Sequence, residues 1–224
     1  MKIQFYFLIA LMAFAFASCD KGAPDSAKGG EAGKAATAST AATSFSVDAA
    51  ASKLAWIGSK VTGDQHNGAV KISNGTLKAE GGNLTAGEFT IDMTSIANLD
   101  LPTEGDYNNA KLEGHLKSPD FFGVEEHPTA SFVVTGVAPV ADGGAITHTI
   151  TGNLTIKGIT KEISIPAAVT MGEGTINADA NFSIDRADFD VKYGSGSFFE
   201  DLGDNMINDE VKMELSIVAS ANEA

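Results

Sequence analysis

Between Ile207 and Ile217 the chain alternates with a period of two. Ile207, Val211, Met213, Leu215 and Ile217 share the odd positions with Asp209, while Asn208, Glu210, Lys212, Glu214 and Ser216 take the even ones. Successive side chains of a strand point to opposite faces, so this pattern suits a strand with one apolar and one wet face. The same period recurs along the chain. It places Ile176, Ala178, Ala180, Phe182 and Ile184 on one face, and Ile159, Ile163, Ile165, Ala167 and Val169 on another. Further faces are formed by Ile150, Leu154 and Ile156, by Phe132 and Val134, and by Phe89, Ile91 and Met93, with Val70 and Ile72, and Leu54 and Trp56, completing the set. Gly, Asn, Asp and Pro separate these runs, as antiparallel turns require.

Eight such segments predict an all-β, eight-stranded antiparallel barrel over residues 45–220. Closure removes free edges, and eight strands leave an interior that is either filled by side chains or wide enough for one small ligand. One helical interruption is expected from Asn108 to Lys117, where Leu112 and Leu116 share a face and Ser118-Pro119 stops the helix, to plug or flank one end. After it come two adjacent phenylalanines, Phe121 and Phe122, in a loop leading to the Phe132 strand.

The chain before residue 45 is of another kind. Residues 1–18 carry Lys2, an apolar run from Ile3 to Ala17, and Ser18, the pattern of an export signal peptide. Cys19 is the only cysteine, which excludes an intramolecular disulfide. Phe16-Ala17-Ser18-Cys19 resembles a bacterial lipoprotein box, with phenylalanine where leucine is usual. It predicts a lipid anchor at Cys19 and an exported, membrane-anchored lipoprotein of a bacterial cell envelope, periplasmic or surface-facing; the alternative is a plain secretory signal that leaves a free thiol. Residues 20–44 hold no Val, Ile, Leu, Met or aromatic residue and predict a disordered, flexible tether.

Acidic side chains outnumber basic ones 29 to 15, a net charge of −14. That balance argues against nucleic acid, whose phosphates need clustered Lys and Arg, and against an extended anionic lipid surface. Catalytic motifs are missing: there is no Gly-x-Ser-x-Gly elbow, no His-Glu-x-x-His helix and no phosphate-binding loop. The four histidines, His66, His115, His127 and His148, form no close chelating pair, so no metal and no cofactor is expected. His148 shares the parity of Ile150 and reads either as a neutral histidine bonded to a neighbour or as a contact to a ligand headgroup. His115, near the helix end, reads as a cap for terminal carbonyls. Asp185, Asp188 and Asp190 surround Arg186 without calcium-loop spacing and read as a solvated turn with an Asp–Arg pair.

Several spaced segments resemble the YceI-like family. They are Leu54-Ala-Trp-Ile-Gly-Ser-Lys-Val-Thr-Gly63 with His66-Asn-Gly68, Phe89-Thr-Ile-Asp-Met-Thr-Ser-Ile96, His115 through Phe132, Gly152 through Ile163, and Asp185 through Gly194. The resemblance implies a lipocalin-like barrel that binds a lipid, a polyisoprenoid chain held inside. The chain departs from the family pattern at Asp190, where glycine is common, and in a longer stretch from Gly194 to Asn205 whose Phe198-Phe199 pair reads as a mobile cover over one mouth or as rings packed outside. Taken with the apolar faces, this predicts a ligand-binding interior of Leu54, Trp56, Phe89, Ile91, Met93, Phe121, Phe122, Phe132, Val134, His148, Leu154, Ile156, Ile163, Phe182, Ile184, Phe198, Phe199, Val211, Met213 and Leu215. The expected function is non-catalytic binding, storage or transport of a polyisoprenoid, isoprenoid quinone or fatty-acid-like lipid. The alternatives are an interaction lipoprotein with a self-filled barrel and an enzyme acting on an isoprenoid or quinone precursor. The oligomeric state stays open.

Overall fold

The alternating segments close into a ring in the computed structural model, which describes residues 29–141 and 143–222. Among the described residues the strands are β1 (Thr43–Val47), β2 (Lys53–Ser59), β3 (Gln65–Glu80), β4 (Asn83–Asn98), β5 (Thr129–Pro139), β6 (His148–Ile156), β7 (Ile159–Gly172), β8 (Thr175–Asp185) and β9 (Glu210–Ala221), with one α-helix, α1 (Asn109–Lys117), between β4 and β5. All pairings are antiparallel, and β2 meets β9 as β3 meets β4, so the sheet has no beginning or end. The ring has eight positions although there are nine strands. β1 and β2 share one position, both lying between β3 and β9 and running the same way. A tight turn interrupts them: the Asp48 carboxylate accepts the backbone N–H groups of Ala50 and Ala51, and the Ser52 hydroxyl bonds Val218 across the gap.

Ile207 to Asp209 follow the alternation of β9 but leave its ladder. The carbonyls of Ile207 and Asn208 turn instead to the Arg186 guanidinium, and Ile207 keeps an isolated bridge to Lys60. Arg186 is the organising residue here. It also donates to the carbonyls of Val191 and Tyr193 and pairs with Asp209 at 3.1 Å, while only 3% exposed. The solvated turn with a local Asp–Arg pair is therefore corrected. Asp185 caps Ala187, Asp190 binds Lys192, and the arginine reaches a partner more than twenty residues on because its length lets one buried group satisfy four carbonyls. Asp190 adopts φ +60°, the left-handed conformation in which glycine is easiest and Asp tolerated.

The flexible-tether expectation is also corrected for the stretch before β1. Residues 29–42 lie along the outside of the barrel. Gly30 exchanges both backbone hydrogen bonds with Glu162 on β7, the Asn153 side chain on β6 bonds the N–H and the carbonyl of Gly33, and the Ala36 N–H reaches the carbonyl of Val134 on β5. The first and last of these contacts use backbone that the ring leaves unpaired: β7 meets β8 only from Ala167 onward, and β5 meets β4 only up to Val133. The strap lies close, for a Cβ on Gly33 would stand 1.8 Å from the Glu162 carboxylate. Apolar content was the wrong measure for it, since main-chain bonds hold it. The export signal and Cys19 lie outside the described residues.

The two ends of the barrel differ. At one end lie the turns 60–64 and 157–158 with the two long connections of the barrel, the stretch 99–128 with α1 and the segment 186–209. At the other lie 81–82, 140–147 and 173–174, none longer than eight residues, beside β1 and the end of β9. Near this second end Phe45, Leu77, Leu84, Val134, Ile150, Ile176, Ile217 and Ala219 fill the interior, Ile176 and Ala219 with no exposed surface at all.

Candidate functional site

The other half of the barrel is hollow. A cavity of about 780 Å³ extends from the middle of the barrel to the end with the long connections, which forms its mouth. Its floor is aromatic. Phe89 on β4 and Phe132 on β5 stack at 5.4 Å, and the Phe132 ring lies over Gly152 on β6, where a Cβ would stand 2.2 Å from it. Trp56 on β2 is seated likewise over Gly68 on β3, a Cβ there standing 2.4 Å from the indole. The Trp56 Nε1 is buried with no hydrogen-bond partner among the described residues. Ile91, Met93, Leu154, Ile156, Ile163, Phe182, Ile184, Val211, Met213, Leu215 and Leu54, with Val70, Ile96, Ala130 and Ile165, complete the apolar strand walls, and Phe121 and Phe122 roof one side.

Helix α1 adds Leu112 and Leu116 to the lining, as their shared face predicts. Asn108 caps its first turn by accepting the Lys111 N–H, Ser118 closes its last through the His115 carbonyl, and the Glu113 carboxylate accepts the Asn98 N–H at the end of β4. The helix thus flanks the mouth. His115 does not cap with its imidazole. The ring turns to the cavity and stands edge-on to Phe121 at 5.0 Å and to Tyr193 at 4.6 Å, with the Asp120 carboxylate 3.8 Å from Nε2.

The mouth is polar, with Lys60, Asp64, Gln65, His66, Tyr107, Tyr193, Asn205 and Asn208 around it. His66 links two of its loops, Nδ1 lying 2.7 Å from Asp100 and Nε2 2.9 Å from the Tyr107 hydroxyl. Burial would raise the Asp100 carboxyl, but hydrogen bonds from His66, the Asn67 N–H and Asn98 outweigh it and hold the group below the usual carboxylate range. Burial pulls the Arg186 guanidinium down from its ordinary value against the opposing charges of Asp209 and Asp185.

Four residues of the expected interior lie off the cavity. Val134 is buried but sits two residues along β5 from Phe132, in the filled half. His148 is at the far end of β6, where its Nδ1 bonds the Thr147 hydroxyl at 2.8 Å. Phe198 and Phe199 are 44% and 49% exposed on the outside of the mouth, Phe198 beneath the Lys192 ammonium at 5.0 Å. The expected interior missed Tyr107, Phe189, Val191 and Tyr193, because loops carry no period that would reveal which side chains turn inward, and it also left out the strand residues Val70, Ile96, Ala130 and Ile165. Among the described residues no group of His, Cys, Asp and Glu is placed to hold a metal ion.

A barrel closed on itself, half filled and half hollow, defines a class of small β-barrels with an internal apolar site. The YceI-like domain model matches residues 45–219, and the chain belongs to the YceI-like family. A UPF0312 protein of Azotobacter vinelandii is 41% identical over 93 residues, which are 39% of this chain and 46% of that protein. The matched stretch thus spans about half the length of this curated relative. Among solved structures, BcnA of Burkholderia cenocepacia has a TM-score of 0.61 at 27% identity, covering 78% of this chain and 99% of BcnA. A polyisoprenoid binding domain from Saccharophagus degradans shares the fold, with a TM-score of 0.56 at 17% identity over 80% of this chain and 99% of its own.

Proposed function

We propose that this protein holds one long apolar molecule, an isoprenoid or a lipid of similar shape, in the hollow half of its barrel, and stores, shields or transfers it without covalent chemistry. The cavity carries this reading. Protein interiors are close-packed, and apolar walls that border a space of about 780 Å³ forgo the packing contacts the other half of the barrel makes. A space this large and this apolar, open at one end, is one to be occupied. Its size lies within the range of ligand pockets. The polyisoprenoid binding domain with the same fold supports the chemical class of the occupant.

Burying a chain gains roughly 0.8 kcal/mol per methylene when it comes from water, and little when it comes from a bilayer. Selection then falls to length and to the polar mouth, where Lys60, His66 and the Tyr107 hydroxyl meet a headgroup. Cys19 is the lipid anchor in this reading, and the protein is an exported lipoprotein of the cell envelope. Acylation of the N-terminal peptide is checked by mass spectrometry, and an unacylated mature peptide removes that part.

The central test is native mass spectrometry with organic extraction of the full chain purified from producing cells. A stoichiometric apolar adduct is expected, and Leu154→Lys, which sets a charge in the cavity wall, is expected to lose it while remaining folded. A clean mass that stays apo after incubation with isoprenoids and fatty acids would sink the carrier.

A further inference from the structure

Among the described residues the large apolar side chains left exposed are Val61, Leu99, Tyr107, Tyr193, Phe198 and Phe199. All six belong to the mouth. Val61 is in the turn between β2 and β3, Leu99 and Tyr107 lie between β4 and α1, and the other three lie between β8 and β9. Leu99 is 67% exposed and follows directly on the last residue of β4. The opposite end carries none of them. Isolated exposed hydrophobics need no explanation, but their confinement to the rim of an apolar cavity does.

The strap bears on what covers this rim. Gly29, where the described chain starts, donates its N–H to Asp188 and lies against Lys161, both on the mouth side of the barrel. The described chain therefore begins on the mouth side, although β1, which follows the strap, lies at the opposite end. The preceding residues contain the apolar run Ile3 to Ala17 and Cys19, ten residues before Gly29. Ten residues reach at most about 35 Å. A flexible linker of the length read from sequence would have attached at the far end and left the mouth free to face any direction.

We infer that the rim is a membrane-docking surface, seated on a zwitterionic lipid bilayer so that the mouth opens onto the acyl layer. Tyrosine suits the headgroup boundary, where its ring sinks in and its hydroxyl stays wet, while the wholly apolar Phe198, Phe199 and Leu99 suit the layer beneath. The rim's charge decides which lipid. In the mouth turns eleven exposed carboxylates, Asp64, Glu104 and Asp204 among them, outnumber the five lysines Lys60, Lys111, Lys117, Lys157 and Lys192, so an anionic surface repels it. Docking lets a ligand pass between bilayer and cavity without crossing water, and in that purpose the inference rests on the carrier reading.

Two full-length variants test it, Phe199→Trp at the rim and Glu173→Trp in the β7–β8 turn, with the unchanged chain supplying the Trp56 background. Each is mixed with phosphatidylcholine vesicles brominated in the acyl chains. The rim indole is expected to lose most of its fluorescence and the far-end indole almost none. A tether alone brings neither indole into the acyl region. Added phosphatidylglycerol at low salt is expected to reduce the loss, as is Leu99→Ser combined with Phe198→Ser. Equal quenching of the two indoles overturns the inference, and so does quenching that requires the anionic lipid. Vesicle-independent dimers that Phe199→Ser dissolves would overturn it too, in favour of a second copy. Extraction of the same samples reads the cargo separately: docking without an adduct leaves the rim standing and removes the carrier, and an adduct without docking does the reverse.

Discussion

The filled and hollow halves of the barrel are built from the same strands with the same inward parity, yet they behave as different materials. In the filled half small and large residues interlock, as where Ile176 and Ala219 meet across β8 and β9 with no exposed surface. In the hollow half bulky side chains line the wall without meeting across it, and two of its aromatics are held back over glycines on the neighbouring strands. The first half supplies the stability of a protein without disulfides in its barrel. The second spends part of that stability to keep a space open.

Removing the Arg186 guanidinium is the largest disturbance open to the mouth. Arg186→Leu leaves Asp209 without its buried counter-charge and four carbonyls without a donor, and a loss of about 3–5 kcal/mol is expected in urea denaturation. A loss under about 1 kcal/mol would show that the segment over the mouth is not coupled to the barrel. Next comes a matched pair. Ile176→Ala, in the filled half, is expected to cost about 2–5 kcal/mol because it opens a void among close neighbours. Met213→Ala, on the cavity wall, is expected to cost about 1 kcal/mol or less, since the side chain already borders empty space. Equal costs would erase the distinction between the halves.

The strap gives a smaller effect. Gly33→Val drives a side chain into Glu162 and is expected to raise hydrogen exchange at Gly30 and Ala36 toward that of unfolded chain while the melting temperature drops only a few degrees. Unchanged protection would show the strap to be held elsewhere. Smallest is a pH effect at the mouth. The Asp100 carboxyl titrates lower in the folded protein than in the unfolded chain, so the stability it contributes is present above about pH 4 and is lost as pH falls through the depressed folded value. Asp100→Asn is expected to remove that part of the acid-induced loss in a thermal melt series, and an identical acid limb in the variant would place the sensitivity in other carboxylates.

The strands were legible because period two is written residue by residue, and α1 because Leu112, Leu116 and Ser118-Pro119 mark its face and its end. The strap was not legible, because its attachment runs through backbone groups of glycines and alanines that leave no trace in apolar content. Arg186 was misread for a related reason. Its partners are mostly carbonyls, and its one carboxylate, Asp209, lies across a long loop, whereas three nearer aspartates offered themselves in sequence.

By itself the sequence determined that this chain forms an antiparallel sheet, which face of each strand is apolar, and that the sheet has strands enough to close. Only the tertiary structure decided where the hollow lies, that the strap runs to the mouth, and that the exposed apolar residues gather there. Parity states whether a side chain points in or out, but its height along the barrel depends on strand register and stagger, which are properties of pairs. Phe132 and Val134 have the same parity two residues apart; one is the floor of the cavity and the other is packed beneath it.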